Sequence, residues 1–90
     1  MSIKVHLYSS LRKYADNKEI VEVEGSTVGE CLKDLVRQFP SISPLLFDEA
    51  GTPLEKVFVS INLESAYREK MTTPVKENDA VYLILIVAGG

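Results

Sequence analysis

Residues 80 to 88 read AVYLILIVA, an uninterrupted run without a single charge. At nine residues it is far too short to cross a bilayer as a helix, which takes about 20. Its content of Val, Ile, Leu and Tyr suits a strand. On a strand, successive side chains point to opposite faces. Val81, Leu83, Leu85 and Val87 then share one face, and Tyr82, Ile84 and Ile86 share the other. A strand that is apolar on both faces belongs in the middle of a sheet, and the rest of the chain must supply its neighbours and its cover.

The neighbours are legible by their period. In IKVHLY, Ile3, Val5 and Leu7 alternate with Lys4, His6 and Tyr8, and in EIVEVEG, Val21 and Val23 alternate with Glu22 and Glu24. Both segments have the period of two of a strand with one buried face, and they are expected to pair antiparallel across the polar segment SSLRKYADNK. KVFVSIN supplies another strand, with Val57, Val59 and Ile61 on one face. Between the second and third strands the period changes. In STVGECLKDLVRQFP, Val28, Cys31, Leu32, Leu35, Val36 and Phe39 form a helical stripe. Thr27 and Glu30 have the spacing of a capping box, and Pro40 stops the pattern and forces Phe39 out of helical geometry. A helix is predicted from about Val28 to Phe39. Residues 41 to 55 read as an irregular loop that tucks Leu45, Leu46 and Phe47 underneath, and Pro74 with Asn78-Asp79 marks a chain reversal before the last strand. The fold class that follows is α+β: a mixed sheet of about four strands, with the first and last strands central and one main helix on one face.

One helix covers one face of such a sheet. If Ile3, Val5 and Leu7 point to the helix, Tyr8 points away from it, and so by parity does Phe58. Tyr8, Phe58, Ile84 and Ile86 then form an apolar patch on the uncovered face, the kind of surface that marks a docking site. Coverage by loops, or a homodimer, would use the same patch.

The net charge of −3 argues against a nucleic-acid partner held by its phosphates. The opening MSIKVHLYSS lacks the charged and apolar regions of a signal peptide, so no membrane association and a cytoplasmic location are expected. A single cysteine, Cys31, and a single histidine, His6, leave neither an internal disulfide nor a zinc-ligand cluster. Cys31 lies on the apolar stripe and reads as a small buried hydrophobe, and Glu22, Glu24, Lys4 and His6 read as strand surface.

After the last strand come Val87, Ala88, Gly89 and Gly90. Glycine adds no side chain to packing and loses the most freedom on ordering, so a terminal pair contributes little to a fold. A domain of residues 1–86 followed by a flexible tail of residues 87–90 is expected, small enough to enter a narrow channel. The reactive group such a tail delivers is the α-carboxylate of Gly90. A carboxylate becomes electrophilic when its oxygen is turned into a leaving group, for instance by adenylation with ATP. The chain contains no GxxxxGK[ST] or GxGxxG cradle, so no cofactor of its own is expected, and the ATP would be bound by a partner.

The order of elements resembles the ubiquitin-like β-grasp fold. The ending VAGG, with INLE at 61 to 64 and TPVKENDAV at 73 to 81, is similar to the MoaD/ThiS family of sulfur carriers over essentially the whole chain. The resemblance implies that an E1-like enzyme adenylates Gly90 and that a sulfur donor replaces AMP, leaving a terminal thiocarboxylate for an acceptor enzyme. It implies that Gly89 and Gly90 are the family's di-glycine, and that Tyr8 and Ile84 face the activating enzyme. The acceptor stays open between a molybdopterin synthase large subunit, in molybdenum cofactor biosynthesis, and a thiocarboxylate-using synthase of cysteine-type amino-acid synthesis. Leu85-Ile86 stands where molybdopterin-branch members often carry proline. A ubiquitin-like modifier joined to target lysines through Gly90, and a non-catalytic interaction domain, are the competing readings. An enzyme in its own right is the weakest of them.

Overall fold

The structure, a computed structural model, describes residues 2–62 and 71–85. Its elements in chain order are β1 (Ser2–Leu7), a one-turn helix α1 (Ser9–Arg12), β2 (Ile20–Glu24), the main helix α2 (Val28–Gln38), a 3-10 turn (Pro40–Ile42), the short α3 (Ser43–Leu46), β3 (Val57–Ile61) and β4 (Ala80–Leu85). The strands form one sheet in the order β2-β1-β4-β3. The two most apolar strands are central, as expected, and they pair parallel, whereas β1–β2 and β3–β4 are antiparallel. This mixed sheet with one helix across it is the expected α+β, β-grasp arrangement. The proposed division between residues 1–86 and the tail 87–90 falls outside the described residues.

The inward face carries the alternating apolar residues. Ile3, Val5, Leu7, Val21, Val23, Val57, Val59, Val81 and Leu83 are buried together with Val28, Cys31, Leu32 and Leu35 of α2. The helix starts and stops close to expectation. Thr27 is the N-cap and its Oγ1 accepts from the Glu30 N–H at 3.1 Å. The return half of the capping box falls one residue earlier than its usual place. The Glu30 carboxylate accepts from both the backbone N–H and the hydroxyl of Ser26, at 2.8 and 2.9 Å, because two donors of one residue converge on the same oxygen. The next two amides at the helix start, Val28 and Gly29, donate to the carbonyls of Thr73 and Met71 at 2.9 and 2.8 Å. The chain returning toward β4 therefore closes the N-terminus of α2. Phe39, with φ −132° and ψ 78°, has left the helix as the following proline requires.

Two segments differ from the sequence expectation. The stretch 9–18, expected to be a polar connection, contains α1 and buries Leu11 and Ala15. The loop expected over 41–55 begins with the 3-10 turn and α3, and Ile42 and Leu46 are fully buried there while Leu45 and Phe47 are half-buried. Helices of a single turn offer too few residues for a hydrophobic period to appear, so tertiary burial rather than local pattern makes them.

The β3–β4 connection is organised by a polar knot. Asn62 adopts a left-handed φ of 55° and ends β3. Its side-chain oxygen accepts from the Ala80 N–H at 2.8 Å, and its amide donates to Asp79 Oδ1 at 3.0 Å. Asp79, only 7% exposed, accepts from the Lys76 N–H through Oδ2 at 2.9 Å. Asn78, at φ 74°, makes the expected reversal. The Lys76 backbone N–H foremost, and then the Asn62 amide, hold the Asp79 carboxyl below its ordinary range. A depressed carboxylate contributes stability that is complete above its unfolded pKa of about 4 and is lost as the pH falls through the lower folded value. Asp79→Asn should therefore cost about 2 kcal/mol at neutral pH. Its melting temperature should converge on that of the native chain as the pH falls below about 4, whereas a pH-independent gap would place the stabilisation elsewhere.

Gly25 marks a close approach. A Cβ there would lie 2.8 Å from the Cys31 backbone nitrogen and 3.1 Å from Cys31 Sγ. Gly25→Ala should force β2 and α2 apart at a cost of about 2 kcal/mol, which would lower the melting temperature by roughly 10 °C in a thermal unfolding scan.

Candidate functional site

The face of the sheet opposite α2 is where the sequence places the docking residues. Along β1 and β4 the parallel register sets Lys4 beside Ala80 and His6 beside Tyr82. The backbone N–H of Tyr8 donates to the Leu83 carbonyl at 3.2 Å, which carries the ladder past the end of β1 and sets Tyr8 alongside Ile84. Across β4, Ile84 pairs with Phe58 and Tyr82 with Ser60. Two rows therefore cross the open face, one of Tyr8, Ile84 and Phe58, the other of Ile20, His6, Tyr82 and Ser60.

Tyr8 is 57% exposed, and Phe58 and Ile84 are half-buried. The parity of β4 is as expected: Tyr82 and Ile84 lie on the open face, while Val81 and Leu83 are buried under α2. Of the expected docking residues the structure brings Tyr8, Phe58 and Ile84 together. Ile86, Val87, Ala88, Gly89 and Gly90 lie outside the described residues.

Two features of this face were not among the expected site residues. The first is a ring stack: His6 and Tyr82 lie with centroids 4.3 Å apart and planes at 26°. Tyr82 shares the parity of Ile84, so the signal for it was present in the alternation. The second is Arg12, whose Nε donates to the Leu7 carbonyl at 2.9 Å and whose guanidinium lies 3.7 Å from Glu19. Arg12 reaches the face through α1, an element with no periodic signature. With Tyr8, His6, Tyr82 and Ile84, Arg12 and Glu19 line a shallow depression of about 270 Å³ beside the end of β4. Leu85, the last described residue of β4, pairs with Val57 at the start of β3.

The chemistry available in this arrangement is that of contact: ring faces and aliphatic area, anchored by backbone hydrogen bonds. Cys31 is fully buried, and burial foremost, then the charges of Glu30 and Asp34, push its thiol up to about 11, so it packs as the expected small hydrophobe. Among the described residues no group of three or more His, Cys, Asp or Glu could hold a metal ion, and no helix is long and apolar enough to cross a membrane.

Known proteins share both this sequence pattern and this geometry. The sulfur carrier protein CysO of Mycobacterium tuberculosis is 26% identical over 93 residues, covering all of both chains. A chain of the Amycolatopsis orientalis BexX/CysO complex superimposes with a TM-score of 0.81 at 26% identity, over 98% of this chain and 99% of that one. SAMP1 of Haloferax volcanii superimposes with a TM-score of 0.87 at 24% identity over the whole of both chains, a likeness of fold. The model of the ThiS family matches residues 5–90, so the chain belongs to that family of ubiquitin-like sulfur carriers.

Proposed function

We propose that this protein carries sulfur at its C-terminus, as a co-substrate passed between enzymes and not as a catalyst. The observation that carries this is the position of the Tyr8–Ile84–Phe58 row at the last described residues of β4, which in sequence are followed by residues 86–90 with Gly89 and Gly90. Five residues reach at most about 17 Å when extended, enough for a partner seated on the row to receive the terminus in its own active site. The activating partner is an E1-like enzyme that binds ATP. A Gly90 carboxylate oxygen attacks the α-phosphorus, pyrophosphate leaves, and an acyl-adenylate forms. Sulfide (HS−) from the donor then attacks the carbonyl carbon, AMP departs with the original oxygen, the sulfide proton is lost to water, and a thiocarboxylate remains. Ile86, Val87 and Ala88 are the residues of this segment assigned to contact the partner, and Gly89 brings no side chain.

For the acceptor we favour a thiocarboxylate-using synthase of cysteine-type amino-acid synthesis over a molybdopterin synthase, because Leu85-Ile86 stands where molybdopterin-branch members often carry proline; the end-to-end match to a sulfur carrier supports the carrier role itself. The recorded complex of the Amycolatopsis CysO with BexX supports docking to a partner protein. Conjugation to target lysines would share the activation step and differ in product.

Incubation of the full chain with a cognate E1-like enzyme, ATP and a sulfide source should raise its intact mass by the exchange of one oxygen for one sulfur, and the variant lacking Gly90 should show no change. An unshifted mass beside a demonstrably active enzyme would overturn the proposal, and isopeptide-linked adducts in the same sample would favour the modifier. Tyr8→Ala, at an exposed position, should leave the melting temperature within a degree or so and weaken binding of the E1-like enzyme about tenfold, read by calorimetry.

A further inference from the structure

The sheet has two edges, and the protein treats one of them in an unusual way. The Leu7 N–H donates to the Glu19 carbonyl at 2.8 Å, so the odd-numbered residues of β2 turn their backbone groups to β1, and Ile20, Glu22 and Glu24 turn theirs outward. An outward row of this kind is a template for another strand. Here two of its groups are taken by side chains of α2. The Glu24 N–H donates to Asp34 Oδ2 at 2.9 Å, and the Glu22 carbonyl accepts from Gln38 Nε2 at 2.9 Å. Asp34 and Gln38 are one turn apart on the same helix face. Gln38 Nε2 also donates to Asp34 Oδ2 at 3.2 Å, and Arg37 Nε donates to Asp34 Oδ1 at 2.7 Å, which fixes the carboxylate.

The pair of backbone groups engaged, a carbonyl at position 22 and an N–H at position 24, is the pair that a single residue of an adjoining parallel strand would bond. Asp34 supplies the acceptor and Gln38 the donor of that missing residue. The Asp34 side chain is only 12% exposed, an unusual placement for a charge unless it is fully bonded. We propose that α2 seals the outer edge of β2 against strand addition through Asp34 and Gln38, and that the occupant it excludes is β2 of a second copy of this chain. Glu22 and Glu24 add a second barrier. Antiparallel pairing of two β2 strands would bring the glutamates of both copies side by side, and like charges facing across strands repel. Strand addition along the β2 edge is thereby opposed twice, by bonded backbone groups and by charge.

Native-state hydrogen exchange on the full chain tests the clamp without any substitution. The Glu24 and Glu22 amides both point outward on this edge, and the Glu24 amide should exchange at least about tenfold more slowly. Equal rates would overturn the proposal. In the double variant Asp34→Ala/Gln38→Ala, the Glu24 rate should rise to that of Glu22. Self-association by light scattering should strengthen at least about tenfold over the native chain in about 0.5 M salt, where the glutamate repulsion is screened. A folded double variant that associates no more than the native chain at that salt would overturn it. Should the double variant fail to fold, Gln38→Ala alone, at an exposed position, frees the Glu22 carbonyl and leaves the Glu24 amide bonded to Asp34, so it is read by self-association at the same salt, and no strengthening over the native chain would overturn the proposal.

Discussion

The parallel pairing of β1 with β4 is the contact on which the rest of the molecule depends. It joins residues 4–7 to residues 80–83, nearly the full length of the chain apart. Everything between must leave β1, cross the sheet and return, and a parallel return demands a crossover long enough to hold a helix. α2 occupies that crossover, and its first two amides are bonded by the carbonyls of Thr73 and Met71, so the helix is locked by the segment that leads back into β4. A pairing so distant in sequence recovers its closure entropy late, which makes such a sheet slow to form compared with a local one. Once formed, it places the end of β1 beside the end of β4. The Tyr8 amide bonded to the Leu83 carbonyl makes Tyr8 and Ile84 neighbours, and the site exists only because of it.

Much of this was legible because two periods, and their order, leave few solutions. AVYLILIVA is apolar on both faces, the helix stripe is single, and from those two facts come a central last strand, one uncovered face, and the grouping of Tyr8, Ile84 and Phe58. The parts that could not be read depend on shapes without a period. α1 and α3 are single turns held by Leu11 and Leu46 in the core, and Arg12 reaches the open face only because α1 turns it there. The knot of Asn62, Lys76 and Asp79 was visible as INLE and TPVKENDAV only through resemblance. Its reason is local: a left-handed Asn62 whose side chain replaces the next residue of the strand and satisfies the Ala80 N–H. Spacing in sequence does not announce that bond, because its partners are 18 residues apart.

The division of labour between face and tail in the proposed carrier role has a physical logic. A terminal carboxylate that must enter more than one active site has to be narrow and free of fixed contacts, which removes most of the area available for affinity. Recognition must then come from a rigid surface near the root of the tail. In the proposed role the rows on the open face supply it from strand positions, whose side chains are held by the sheet and lose little entropy on binding. Aromatic anchors suit that task because two torsions immobilise a large area.

A chain that depends on binding through an exposed sheet face also carries a hazard, since the same exposure favours unwanted pairing. Apolar area cannot be withdrawn from a docking face without losing its partner, so on the proposed reading protection falls on the edge. The α2 side chains at Asp34 and Gln38 do this with polar groups that leave the face untouched. On the proposed reading, specificity is a difference between two binding modes, one favoured by Tyr8, Ile84 and Phe58 and the other blocked at β2. The helix that covers the core and the helix that guards the edge are the same element. The inward stripe of α2 packs the sheet, while the turn carrying Asp34 and Gln38 bonds the outer edge of β2.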